Sequence, residues 1–238
     1  MKQILLILAG VALVGCGKKE DGNTGVVKPK LPSPKAVPEK LIADPILEKA
    51  IREQLEKPEG DLTKADLDKV TRLELDDNQL TELPKGLEKL TKLEVLILAD
   101  NQLTEVKGLE KLTQLTFLNL SYNQLTDVNG LENLTQLTEL YLWSNQLTEL
   151  PKGLEKLTQL TTLELRNNNL TEVKGLEKLT QLKRLRLDDN RLTDVKGLEK
   201  LTQLKELKLW PNPGLTKAQI AELQKALPRC RIIHNVKE

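Results

Sequence analysis

Aromatic residues are nearly missing from this chain: they make up 2% of 238 residues. They are Phe117, Tyr122, Tyr141, Trp143 and Trp210. Any core must therefore be aliphatic, and the 39% of residues that are hydrophobic suffice to build one. Cysteine occurs twice, at Cys16 and Cys230, which excludes a disulfide framework and a cysteine-rich metal site. The one histidine, His234, stands near the end of the chain without a cluster of acid, base or ligand residues around it. No surplus of either charge exists: 36 Lys and Arg face 35 Asp and Glu, a net charge of +1. Sequence-independent nucleic-acid binding needs a basic excess, so no nucleic-acid partner is expected. No phosphate-binding Walker loop, dinucleotide glycine triplet or serine nucleophile elbow appears. Asp76-Asp77 and Asp188-Asp189 are the only acidic pairs that suggest a cation, and they lack the ligand spacing of calcium loops. The chain is therefore not expected to be an enzyme, and no cofactor or metal is implied.

What is present begins with an apolar run from Ile4 to Val14 behind Lys2. It has the length of a signal-peptide core and is too short to span a bilayer. The run ends in Leu13-Val14-Gly15-Cys16. This resembles the bacterial lipobox, which implies acylation of Cys16 and cleavage before it. More than one acyl chain on Cys16 would anchor the protein stably to a lipid bilayer. Gly17 is not the Asp associated with inner-membrane retention, so the resemblance implies a bacterial cell-envelope position at the outer membrane or cell surface. Residues 17–41 carry Pro29, Pro32, Pro34, Pro38 and six lysines. That composition reads as an extended tether, reaching roughly 75 Å in a polyproline-like state.

The remainder is dominated by self-similarity. The string Leu-x-Leu-x-x-Asn recurs with its asparagines at Asn78, Asn101, Asn123, Asn145, Asn168, Asn190 and Asn212, spaced 22 or 23 residues apart. One full turn runs from Gly108 to Asn129, Gly-Leu-Glu-Lys-Leu-Thr-Gln-Leu-Thr-Phe-Leu-Asn-Leu-Ser-Tyr-Asn-Gln-Leu-Thr-Asp-Val-Asn. Over residues 72–215 this pattern resembles the leucine-rich repeat, and most closely the short repeats of internalin-like bacterial proteins. Alternation in Leu118-Asn119-Leu120 sends the leucines inward and Asn119 outward. Leu109, Leu112, Leu115, Leu125 and Val128 complete an inward set that no single turn can bury, so turns must stack. The asparagines offer donor and acceptor groups at a tight corner and are expected to form a structural ladder. The Gly-Leu-Glu-Lys-Leu-Thr segment opposite the strand is too short for a long helix, so short 3₁₀ pieces are expected. Its acidic residues, such as Glu110 and Glu177, recur in register and read as a solvated face.

Helix signals flank the repeats. Asp44-Pro45 opens a helix to about Leu55. Thr63 caps a second one, with Leu62 and Leu67 as a hydrophobic staple. Thr216 caps a third that runs to about Leu227, ahead of a final short strand in which Cys230 and Ile232 point inward. Cys230 is accordingly expected to be a buried core thiol. The chain divides into a lipoprotein signal peptide (1–15), the lipidated Cys16 with its Pro/Lys-rich tether (16–41), an N-terminal helical cap (42–71), the repeats (72–215) and a C-terminal cap (216–238). A longer period lies inside the short one: residues 79–145 and 146–212 align without gaps, as if three turns had been duplicated.

The positions that the repeat leaves free carry the functional information. Strands in register place three outward columns on the concave side. They run Arg72, Val95, Phe117, Glu139, Thr162, Arg184, Glu206; then Glu74, Ile97, Asn119, Tyr141, Glu164, Arg186, Lys208; then Asp76, Ala99, Ser121, Trp143, Arg166, Asp188, Trp210. Four of the five aromatics stand in these columns, where the core does not need them, and exposed aromatics are typical interface anchors. Val95, Ile97, Phe117, Tyr141 and Trp143, with Ala99 beside them, form an expected apolar ligand-binding patch. Towards the C-terminus Glu164 lies beside Arg186, Arg184 beside Glu206 and Arg166 beside Asp188. Opposite charges on neighbouring strands support the sheet, so those arginines need no ligand. The expected fold is an α/β repeat: a leucine-rich-repeat solenoid with one parallel concave β-sheet, a convex side of short 3₁₀ turns, and helical N- and C-terminal caps. The resemblance implies a monomeric, membrane-anchored module that recognises a protein ligand. A glycan- or peptidoglycan-binding lipoprotein and a structural spacer without ligand are the alternatives.

Overall fold

The computed structural model describes residues 40–234. The expected signal peptide, the lipidation residue Cys16 and almost all of the tether lie outside the described residues. No described helix is long and apolar enough to cross a membrane.

Helix α1 (Pro45–Gln54) starts where the sequence requires: the Asp44 carboxylate accepts from the backbone nitrogens of Ile46 and Leu47, with proline at the first helical position. The single-turn α2 (Lys64–Leu67) is held by a capping box between Thr63 and Asp66. Eight three-residue strands follow: β1 (Arg72–Glu74), β2 (Val95–Ile97), β3 (Phe117–Asn119), β4 (Glu139–Tyr141), β5 (Thr162–Glu164), β6 (Arg184–Arg186), β7 (Glu206–Lys208) and β8 (Arg231–Ile233). Between β7 and β8 lies α3 (Lys217–Ala226), closed by a second capping box, Thr216 with Gln219. The strands form one parallel sheet in sequence order. Its register pairs Arg72, Val95, Phe117, Glu139, Thr162, Arg184 and Glu206 in one row, which Arg231 of β8 extends. Neighbouring parallel strands are covalently joined only through a whole turn of the coil, so each repeat contributes one rung.

A continuous aliphatic core fills the coil from Ile42 to Cys230. The inward leucines of each strand and turn, Leu109, Leu112, Leu115, Leu118, Leu120 and Leu125 among them, are fully buried. Each such side chain is worth roughly 1.5–3 kcal/mol of apolar burial, shared with the turns on either side. On the opposite wall six 3₁₀ turns recur, such as Leu109–Lys111 and Leu176–Lys178. Each is entered through a glycine of positive φ, between +79° and +107°. At Gly153 a Cβ would sit 2.4 Å from the Cβ of Glu132, so only glycine fits that corner.

The recurring glutamates of this wall do more than solvate it, contrary to their pattern in the sequence. The carboxylates of Glu88, Glu110, Glu177 and Glu199 accept from the backbone N–H of Gly86, Gly108, Gly175 and Gly197 at 3.0, 2.9, 2.6 and 2.6 Å. The physical cause is the corner itself: its amide has left any strand ladder and needs an acceptor. These backbone bonds hold the Glu177 carboxyl below the usual range.

Candidate functional site

The asparagine corners set the geometry on which the concave face is built. The Asn123 amide donates to the carbonyl oxygens of Leu98 (2.9 Å), Leu120 (3.1 Å) and Ser121 (3.2 Å). Its Oδ1 accepts from the Leu103 nitrogen, one turn earlier, at 2.9 Å. Asn101, Asn145, Asn168, Asn190 and Asn212 likewise donate to a carbonyl of the preceding turn and to the carbonyl three residues back, and accept from an amide of the preceding turn. All six are buried. Asn78 differs: no repeat precedes it, and its amide reaches only Asp76 O, at 2.8 Å. The residue before each ladder asparagine from Asn78 to Asn190 takes a left-handed conformation, with φ between 52° and 56°. Five of these residues are Asp, Ser or Asn, which tolerate that region or lie close to those that do, but the sixth is Tyr122.

Against this frame the outward side chains cluster. Phe117 and Tyr141, on adjacent strands, meet with ring centroids 5.2 Å apart. Val95 precedes Phe117 in its row and Ile97 precedes Asn119 and Tyr141 in the next. All five expected site residues, Val95, Ile97, Phe117, Tyr141 and Trp143, are half-buried. Ala99 is buried and Ser121 fully so, so the third column contributes less open surface than its sequence position implies. The Tyr141 hydroxyl donates to Glu139 Oε2 at 2.7 Å. Burial, together with that carboxylate, pushes its phenol pKa up.

The structure adds a residue that column counting misses. Tyr122 lies beyond the strand, yet its left-handed backbone turns the ring edge-on to Trp143, with centroids 4.2 Å apart. It is 46% exposed, and among the described residues Trp210 is the one other large hydrophobic side chain so open. Arg166 lies over the Trp143 ring, 5.7 Å from its centroid. The signal was present in the sequence as an aromatic at a position otherwise held by Asp, Ser, Asn or, in the last repeat, Pro211.

The C-terminal half of the face is charged, and its pairing is looser than the columns suggest. The expected neighbours do meet, but Arg184 stands 3.9 Å from Glu164 and 3.7 Å from Glu206, Arg186 stands 3.7 Å from Glu164, and Arg166 stands 3.6 Å from Asp188. Hydrogen-bonded geometry appears within one turn of the chain instead: Arg186, the last residue of β6, grips Asp188, two residues on, through Nε–Oδ1 at 3.1 Å and Nη2–Oδ2 at 2.8 Å. That carboxylate holds the guanidinium firmly charged. Glu164 is buried, which raises its carboxyl pKa, against the opposing pull of Arg186 and Arg184. Cys230 is also buried, as expected, and its thiol is pushed up to about 11, so thiolate chemistry is disfavoured there. No group of three or more potential metal ligands occurs among the described residues.

Comparison with known proteins agrees with this architecture. The family description "Leucine-rich repeat region" matches residues 123–234, and "Leucine Rich repeats (2 copies)" matches residues 68–111 and 91–133. No curated protein matches the chain. Among solved structures, the chain is similar to an internalin, InlF, of Listeria monocytogenes (28% identity, TM-score 0.73), over 83% of this chain and 58% of that one. It is similar to internalin C2 of the same organism (28% identity, TM-score 0.63), over 82% of this chain and 95% of that one. A leucine-rich-repeat protein of Leptospira interrogans shares the fold at 24% identity and a TM-score of 0.57, over 72% and 56% of the two chains. This chain therefore spans less than two thirds of the first internalin's length but nearly all of the second's. With its repeat spacing, its parallel ladder and these matches, the chain belongs to the leucine-rich-repeat family and is internalin-like.

Proposed function

We propose that this protein is a non-enzymatic recognition module, tethered to a bacterial envelope membrane through an acylated Cys16, that binds a protein partner on its concave face. The observation that carries the reading is where the aromatics are placed. Phe117 with Tyr141, and Trp143 with Tyr122, form two contacting pairs on an outward surface. The aliphatic core is complete without them. Rigid rings that are already packed against a neighbour lose little side-chain freedom on binding, which is why such residues serve as interface anchors. Val95 and Ile97 extend the contact. The similarity to internalins supports a binding module, and the Pro-rich tether would hold it clear of the membrane.

The test is capture from envelope extracts with the chain as bait. A protein partner recovered by the parent should be lost with Tyr141→Ala and with Trp143→Ala. Each change should weaken binding by about 2 kcal/mol or more if these residues are hot spots. Both variants should melt close to the parent, because neither side chain lies in the core. Undiminished capture by both would remove the concave aromatics from the site. A glycan partner is the second reading, favoured by one observation, the exposed Tyr122 edge beside Trp143 with Arg166 at hand.

A further inference from the structure

The duplicated halves keep the same frame but carry different chemistry on the concave face. Residue by residue at an offset of 67, Phe117 gives way to Arg184, Asn119 to Arg186 and Tyr141 to Lys208. Val95 gives way to Thr162 and Ile97 to Glu164, while the inward leucines are retained. Outward positions on and just after β1 to β4 hold Arg72 against Glu74, Asp76 and Glu139. Outward positions on and just after β5 to β8 hold Arg166, Arg184, Arg186, Lys208 and Arg231 against Glu164, Asp188 and Glu206. Lys183 and Lys205, both exposed, stand at the entrances of β6 and β7.

Depth sharpens the contrast. The side chains of Glu164 and Asp188 are each 8% exposed, whereas that of Arg184 is 51% exposed. Glu164 and Asp188 lie beneath the exposed Arg184 and Arg166, and of the three carboxylates only Glu206 is as open as Lys208, so an approaching partner meets more positive charge than negative. These cations also keep donors to spare. Arg184 makes no side-chain hydrogen bond among the described residues, and Lys208 lies 3.7 Å from Glu206, its nearest carboxylate. Arg186 is held rigid by Asp188 while its Nη1 stays 3.7 Å from Glu164, outside hydrogen-bond reach. A guanidinium fixed in place with an unpaired donor, beside a second whose donors are free, is arranged for carboxylate recognition.

We infer that the partner segment is an acidic peptide stretch of a protein, laid across the strands, with an apolar side chain on the Phe117–Tyr141–Trp143 group and a carboxylate on Arg184, Arg186 and Lys208. The inference rests on the concave-face reading above and adds the partner's chemistry to it. Complementary charge at this end would steer the encounter and set the direction of the segment. Parallel strands lie about 4.8 Å apart, so β4 and β6 are separated by roughly 10 Å. An extended peptide rises about 3.3 Å per residue. The Asp or Glu should then fall about three residues from the apolar anchor.

The test is selection of a displayed random-peptide library on the immobilised full chain, followed by titration of the enriched peptides. Enriched peptides should place Asp or Glu about three residues from an aromatic, Leu or Ile. Their binding should fall about tenfold or more with Arg184→Gln and with Lys208→Gln. It should also weaken as salt is raised. Both positions are solvent-facing, so circular dichroism should report an unchanged fold. Peptides that need Tyr141 and Trp143 but ignore salt and both glutamine variants would overturn the acidic component and leave the concave-face reading standing. Peptides insensitive to all four substitutions would overturn both. If no acidic peptide is enriched and a sulfated heparin fragment binds through Arg184 and Lys208 instead, the partner is an anionic glycan and the peptide inference fails.

Discussion

A side-chain amide at a corner does what a strand ladder does elsewhere. Asn123 satisfies three carbonyl oxygens and one amide from two successive turns, all of them buried. Replacing it with alanine leaves the buried Leu103 N–H unpaired and takes one of two donors from each carbonyl, and should cost roughly 1–3 kcal/mol, read as a lower denaturation midpoint. Asn78→Ala, where the amide serves one partly exposed carbonyl, should cost distinctly less. Equal losses at both sites would mean that the ladder bonds carry no stability. Glu164 poses the opposite question, whether a buried charge helps at all. Its folded pKa is raised above 4.5, with burial as the largest cause. The folded state therefore holds the proton more tightly than the unfolded chain. Its contribution to stability falls as pH rises from 4.5 through the folded pKa and is least at neutral pH. Glu164→Gln should consequently melt no lower than the parent at pH 7, as buried ion pairs often permit. A clear drop would show that attraction to Arg184 and Arg186 outweighs the cost of burial.

At the scale of elements, each repeat is a short strand, a left-handed corner and a 3₁₀ turn, and none of the three is stable alone. The turn depends on its entry glycine. Gly153 combines a φ of +79° with a Cβ position already filled by Glu132. Gly153→Ala should therefore destabilise by about 2 kcal/mol or more, combining left-handed strain with local overpacking. Thermal melting of this variant checks the value, and a melt equal to the parent's would refute the account. The glutamates beside these corners show how a repeat pattern can mislead. A charge that recurs every turn on an outer wall looks solvated, yet Glu110 and Glu177 are fixed by the backbone N–H of Gly108 and Gly175. The caps were more legible. Asp44, Thr63 and Thr216 announce α1, α2 and α3 because a capping bond is local, confined within three residues of chain.

For the whole molecule, anchoring and recognition are separable. Cys16→Ser should release the protein from the membrane fraction or leave it unprocessed, while the folded repeats keep their circular dichroism spectrum. Processing and membrane retention like the parent's, judged by fractionation and mass spectrometry, would refute the lipid anchor. By itself the sequence determined the period, the inward leucines, the register of the outward columns and the three caps. These follow from backbone periodicity and from hydrogen bonds closed within one turn or one helix end. Only the tertiary structure decided which outward side chains touch. Tyr122 joins Trp143, Ala99 and Ser121 sink from view, and Arg186 bonds Asp188, two residues on, rather than Glu164 on the preceding strand. A repeat fixes where each Cα–Cβ bond points. The rotamers beyond it are chosen among neighbours contributed by adjacent strands about 4.8 Å away. That choice depends on the depth at which each side chain sits, which a linear pattern of residues does not encode.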